Sequence, residues 1–137
     1  RSAPETAAAP RNLAEVFGEP NKRNWTPNEI VQRTCELPGV TGAIMALQDG
    51  LLVASCLPPD WRADMVTAFL PQIFGRMNQY CRELNLGELR DMAFTVERGT
   101  VQVFKAGLVY FAVLGEPGNL PWTQLRLIVS ELNRHTQ

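Results

Sequence analysis

Side chains able to do acid–base, nucleophilic or metal chemistry are sparse in this sequence and badly spaced for it. His135 is the single histidine and stands at the ragged finish of a helical run, where a general base is not held at fixed geometry. It reads as an exposed helix-end cation. Cys35, Cys56 and Cys81 are odd in number and far apart, without the close pairs of disulfide frameworks or zinc sites. They read as buried, reduced thiols serving as small apolar side chains. Cys56 precedes Pro58-Pro59 and a helix start that would lower a thiol's pKa, yet no base is in view, so core packing is the reading there too. Among the acids, Asp49 belongs to a turn, Asp60 to a helix cap, and Glu83, Glu88 and Glu131 to polar faces. No phosphate-cradling loop ending in Gly-Lys-Ser/Thr occurs, nor a Gly-x-Gly-x-x-Gly after a strand. The expectation is a protein that is neither an enzyme nor itself a GTPase, with no catalytic residue, no cofactor and no metal.

A chain of 137 residues, 45% of them hydrophobic, has room for one domain with a real core. Its formal charge of −1 is scattered, with no basic stripe to neutralise phosphates, so nucleic acid is not an expected partner. The longest apolar run, Leu108 to Leu114, falls far short of the roughly 18 residues of a membrane span, and no signal peptide shows. A cytoplasmic protein without a membrane partner is expected. Residues 1–25 are Ala/Pro-rich with little periodicity and read as a mobile linker or tail cut from a longer protein, leaving 26–137 as the domain. Within that tail, Leu13, Val16 and Phe17 have the spacing of one short amphipathic turn able to dock on the domain or on a partner.

The elements follow from local signals. Thr26-Pro27-Asn28-Glu29 is a capping box with proline at the first helical position, and the helix it opens carries Ile30, Val31, Thr34 and Leu37 before stopping at Pro38-Gly39. Two apolar runs hinged on Asp49-Gly50 then read as a hairpin with a two-residue primed turn. Val40 to Leu47 shows apolar side chains on both faces, so a layer should pack on each side. Asp60 is a plausible N-cap for a long helix bearing Trp61, Met65, Phe69, Ile73, Met77, Tyr80 and Leu84, its stripe widened by Val66, Leu70, Phe74 and Cys81. Pro71 inside it costs about 3 kcal/mol and, with Gly75 near, predicts a kink around 67–71.

Three strands joined by tight turns come next: Glu88 to Glu97, Thr100 to Lys105 and Leu108 to Leu114. The last is apolar on both faces and central, whereas the first reads as an edge showing Met92, Phe94 and Val96, with nothing to blunt its open hydrogen-bonding row. A closing helix has Pro121 in its first turn and Trp122, Leu125, Ile128, Val129 and Leu132 along a stripe. The order is α-β-β-α-β-β-β-α, an α+β domain.

With that order, the stretches LPGVTGAIMALQDGLLVAS, NLGELRDMAFTVERGTVQVFKAGLVYFAVLGE and GNLPWTQLRLIVSEL resemble the roadblock/dynein light chain family across residues 26 to 135. The resemblance implies a five-stranded antiparallel sheet, the long helix on one face and the first and last helices on the other. It also implies homodimers or heterodimers joined at the edge strand with their long helices brought together, which serve as platforms for Ras-like small GTPases, as scaffolds or as motor subunits. In that light Met92, Phe94, Val96, Phe74 and Met77 are interface residues, and Trp61, Arg62, Arg76 and Gln79 are contacts for a small GTPase. GTP hydrolysis often takes an arginine in trans, but the resemblance assigns Arg62 and Arg76 no such role, and both read as solvated helix charges. The function expected is a noncatalytic homodimeric regulator or scaffold for a small GTPase. The alternatives are a structural dimerisation adaptor within a larger protein, and a small-ligand sensor with its pocket beneath the kinked helix.

Overall fold

A computed structural model describes residues 12–136, with side chains through Arg134. The reading of residues 1–11 as a linker and that of His135 as an exposed cation lie outside the described residues. The elements are α1 (Leu13–Phe17), α2 (Pro27–Cys35), β1 (Val40–Leu47), β2 (Leu52–Cys56), α3 (Ala63–Glu83), β3 (Asp91–Val96), β4 (Gly99–Ala106), β5 (Val109–Gly115) and α4 (Trp122–Thr136). The strands form one antiparallel five-stranded sheet in the order β2-β1-β5-β4-β3.

Central strands β1 and β5 are apolar on both faces because both faces are covered. Ala43, Met45, Phe111 and Val113 point into one core with Ile30, Val31, Leu125 and Ile128 of α2 and α4. Ile44, Ala46, Tyr110 and Ala112 point into a second core with Leu70 and Phe74 of α3. The capping box at α2 forms in full: Thr26 Oγ1 accepts from the Glu29 amide at 3.1 Å, and Glu29 Oε1 accepts from the Thr26 amide at 2.9 Å. The strand opening at Gly39 and the segment opening α4 meet, since a Cβ on Gly39 would fall 1.9 Å from the Asn119 carbonyl oxygen and φ there is 89°. Only glycine fits that crossing.

Three local expectations change. Of the segment expected to be mobile, residues 12–25 pack on the domain. Leu13 enters the α2/α4 core, Val16, Phe17 and Trp25 lie against it, and the Phe17 and Trp25 rings stand 5.0 Å apart. Lys22 reaches Glu29 at 2.5 Å, and Arg33 pairs with Glu19. The turn between β1 and β2 is not a two-residue primed turn. The Leu47 amide bonds to the Leu51 carbonyl and the Gly50 amide to the Leu47 carbonyl, a three-residue loop in which Gly50 alone takes positive φ, at 91°. Asp49 serves it by accepting from the Leu51 amide at 3.0 Å.

Asp60 does not cap α3. Trp61 donates to the Pro58 carbonyl, which closes a turn around Asp60 and delays the helix until Ala63. Arg62 is the N-cap and makes no side-chain capping bond, while Asp60 pairs with Arg98 at 2.6 Å. The long helix α3 spans Ala63–Glu83 with Pro71 inside it. The Thr67 carbonyl, denied an amide donor by the proline, lies by the β1–β2 turn, where a Cβ on Gly50 would stand 3.2 Å from it.

Candidate partner interface

The helix α3 carries two apolar lines. Ala63, Val66, Leu70 and Phe74, with Thr67 buried between them, face the sheet, and the Phe74 ring lies 5.2 Å from that of Tyr110. The small Ala63 and Thr67 let the helix approach closely. Met65, Phe69, Ile73, Met77, Tyr80 and Leu84 follow one another by three or four residues, hence along one line, and every one is exposed, Phe69 by 49% and Tyr80 by 52%. Contiguous exposed apolar surface makes this line the candidate binding face.

The edge strand β3 presents apolar side chains toward the same side. Met92 packs against the α3-side core, and strand alternation puts Phe94 and Val96 on its face, where they are 38% and 45% exposed. Only β4 pairs with β3, so its outer backbone edge is open among the described residues.

Polar contacts tie the two ends of β3 to the two ends of α3. Before the strand, Glu88 receives two bonds from Arg82, at 2.7 and 3.1 Å, and one from Asn78 Nδ2 at 3.0 Å, while Asn78 Oδ1 accepts from the Leu89 amide. The Arg82 and Asn78 donors hold the Glu88 carboxyl at a pKa of about 2, well below its ordinary value. After the strand, Arg98 in the β3–β4 turn pairs with Asp60 and lies 5.5 Å from the centre of the Trp61 ring. The helix stops cleanly because Asn85 adopts φ 60° and the Leu86 amide reaches back to the Cys81 carbonyl at 2.8 Å.

The residues singled out from sequence fare unequally. Phe74 is 1% exposed and belongs to the core, so it is not an interface residue: periodicity tells which residues share a line, not which line meets the sheet. Met77, Phe94 and Val96 are exposed and Met92 is half-buried beside them. Trp61 is not on the helix but half-buried in the turn before it, beneath Arg98. Arg62 is exposed and pairs with Asp64 at 3.1 Å, Gln79 donates to Glu83, and Arg76 is exposed with no ion pair among the described residues. At a rise of about 1.5 Å per residue, Arg62 and Arg76 stand roughly 20 Å apart along the axis, so the four residues do not make one compact site. Met65, Phe69, Ile73, Tyr80 and Leu84, read from the sequence as part of the long helix's stripe, form with Met77 the line that the sheet leaves uncovered.

Elsewhere, the cysteines read as far apart come together in part. Cys35 donates to the Cys56 carbonyl at 3.0 Å, and burial first, with the Cys56 side chain second, pushes the Cys35 thiol above its ordinary pKa. A thiol so placed is a poor nucleophile. Under α3, where one alternative placed a sensor pocket, Phe74 packs against Tyr110. Among the described residues no group of three or more His, Cys, Asp and Glu side chains is placed to hold a metal ion, and no helix is long and apolar enough to cross a membrane.

Residues 27–115 match the Roadblock/LC7 domain. The chain belongs to the roadblock/LC7 family. Two uncharacterized proteins of Methanocaldococcus jannaschii are each 30% identical to it over 76 residues, which are 56% of this chain and 67% of theirs. Among solved structures, a roadblock/LC7 domain from Streptomyces avermitilis superposes with a TM-score of 0.68 at 18% identity, covering 82% of this chain and 100% of its own. MglB of Myxococcus xanthus gives 0.69 at 11% identity over 79% and 92%. The gliding protein MglB of Thermus thermophilus gives 0.66 at 15% over 79% and 86%. These likenesses establish the roadblock fold. The roadblock match begins at Pro27, so α1 and the segment after it precede the matched range.

Proposed function

We propose that this roadblock domain is a noncatalytic homodimeric regulator or scaffold for a Ras-like small GTPase. The observation that carries the reading is the outward line of α3, from Met65 to Leu84, lying on the same side of the sheet as the open edge β3. Two copies paired through β3 would bury Phe94 and Val96 and bring two α3 helices together, leaving Arg76, Gln79 and Arg62 beside the apolar line as contacts for the GTPase. Trp61 would act indirectly, by fixing the start of that helix under Arg98. One solved relative is described as MglB with tetrameric arrangement, which supports self-association as a property to look for here. The resemblance to roadblock proteins that serve as platforms for Ras-like small GTPases supports the GTPase as partner.

The deciding experiment is affinity capture on the immobilised domain, run in parallel with a GTP analogue and with GDP. A small GTPase retained in one nucleotide state supports the regulator; retention of none, with an intact dimer, moves the assignment to a structural adaptor. The dimer itself is checked by light scattering on Phe94→Lys, which is expected to have the mass of one chain. An unchanged dimer would rule out β3 as the seam.

A further inference from the structure

The layer opposite α3 contains a cavity of about 400 Å3 between the N-terminal segment and the sheet, walled by Leu13, Ile30, Met45, Val53, Val109 and Leu132. The cavity opens to solvent, and its volume falls within the range of small-molecule sites. The charged group at its wall is Arg23, beside Asn24 in the stretch leading into α2. Its neighbour Lys22 is engaged by Glu29, whereas Arg23 has no ion pair among the described residues.

We infer that this cavity binds an aliphatic monocarboxylate, its chain among Ile30, Met45, Val53 and Leu132 and its carboxylate on Arg23. At on the order of 30 Å3 per non-hydrogen atom, the space a water molecule takes in the liquid, the cavity holds about thirteen such atoms, the size of a medium-chain fatty acid. The site involves neither α3 nor β3, so it stands or falls separately from dimerisation and GTPase binding.

The test titrates the whole domain with octanoate and, separately, with 1-octanol, following methyl NMR signals and heats of binding. Saturable shifts confined to Ile30, Met45, Val53, Val109 and Leu132 are expected for both. Arg23→Gln should weaken octanoate about fivefold, the weight of one partly exposed ionic contact, and leave octanol within about twofold. Val53→Phe, which adds bulk at a half-buried wall position, should abolish both while the domain stays folded by circular dichroism. Absence of saturation, shifts at Phe69 and Ile73 in place of the cavity wall, an octanoate affinity indifferent to Arg23→Gln, or binding that survives Val53→Phe would each overturn the assignment.

Discussion

The two helical layers are finished in opposite ways. On one face of the sheet, α2 and α4 each carry a single apolar stripe, and Ile30, Val31, Leu125, Ile128 and Leu132 are all buried by the chain itself. On the other, α3 carries two, and the chain covers only one. A helix with one stripe is satisfied within its own domain, while a second stripe costs solubility in a lone chain and is retained where another molecule covers it. The contrast separates apolar residues buried within the domain from apolar residues left on its surface, although both sets are equally hydrophobic.

The contrast can be broken most decisively in the closed layer. Leu125→Ala, at a fully buried position of α4, is expected to lower unfolding free energy by about 3 kcal/mol, read from the urea midpoint. A loss under about 1 kcal/mol would mean the layer is not tightly packed. In the open layer, Phe69→Ser should change the stability of the isolated chain by no more than about 0.5 kcal/mol while halving the solution mass. If it instead unfolds the domain, the outward line is core and the comparison fails. Between these, Thr26→Ala removes a complete capping box from α2 and should cost about 1 kcal/mol.

Acid sharpens the comparison, because each layer has a carboxylate held at a pKa of about 2: Glu29 beside α2, chiefly by Lys22 and then by the Thr26 backbone, and Glu88 beside α3, chiefly by Arg82 and then by Asn78. Both folded-state values lie below the ordinary 4.5, so the stability these groups contribute is present above pH 4.5 and fades as pH falls toward 2. Urea midpoints measured across that window should fall less steeply in Glu29→Gln and in Glu88→Gln than in the parent chain. Equal slopes in all three would remove both contributions. A small effect is expected of Arg98→Ala, below about 1 kcal/mol, since its pair with Asp60 is largely exposed.

Much of the fold was legible because its signals are local or strictly periodic. Thr26 through Glu29 specifies a helix start with four residues, and the two-faced apolar runs of β1 and β5 demand a layer on each side before any contact is known. What could not be read depends on tertiary choices. Asp60 has the chemistry of a cap, but a turn onto the Pro58 carbonyl uses it differently. Leu13, Val16 and Phe17 had an amphipathic spacing whose target only the packed domain reveals. Cys35 meets Cys56 at a separation of 21 residues, through the docking of α2 beside β2. In the site, Phe94 and Val96 were readable from an unguarded edge, whereas Phe74 and Met77, three residues apart on one helix, fall on opposite sides of the division between core and surface.

The strand β3 is fastened at both of its ends to the two ends of α3, through Glu88 with Arg82 and Asn78 before it and through Arg98 with Asp60 and Trp61 after it. Helix and edge strand therefore share polar contacts at both ends of the strand. Thermodynamic reciprocity then sets a rule for whatever occupies them: a molecule on α3 that strengthens pairing along β3 by some factor must itself be held more tightly, by that same factor, once the pairing has formed.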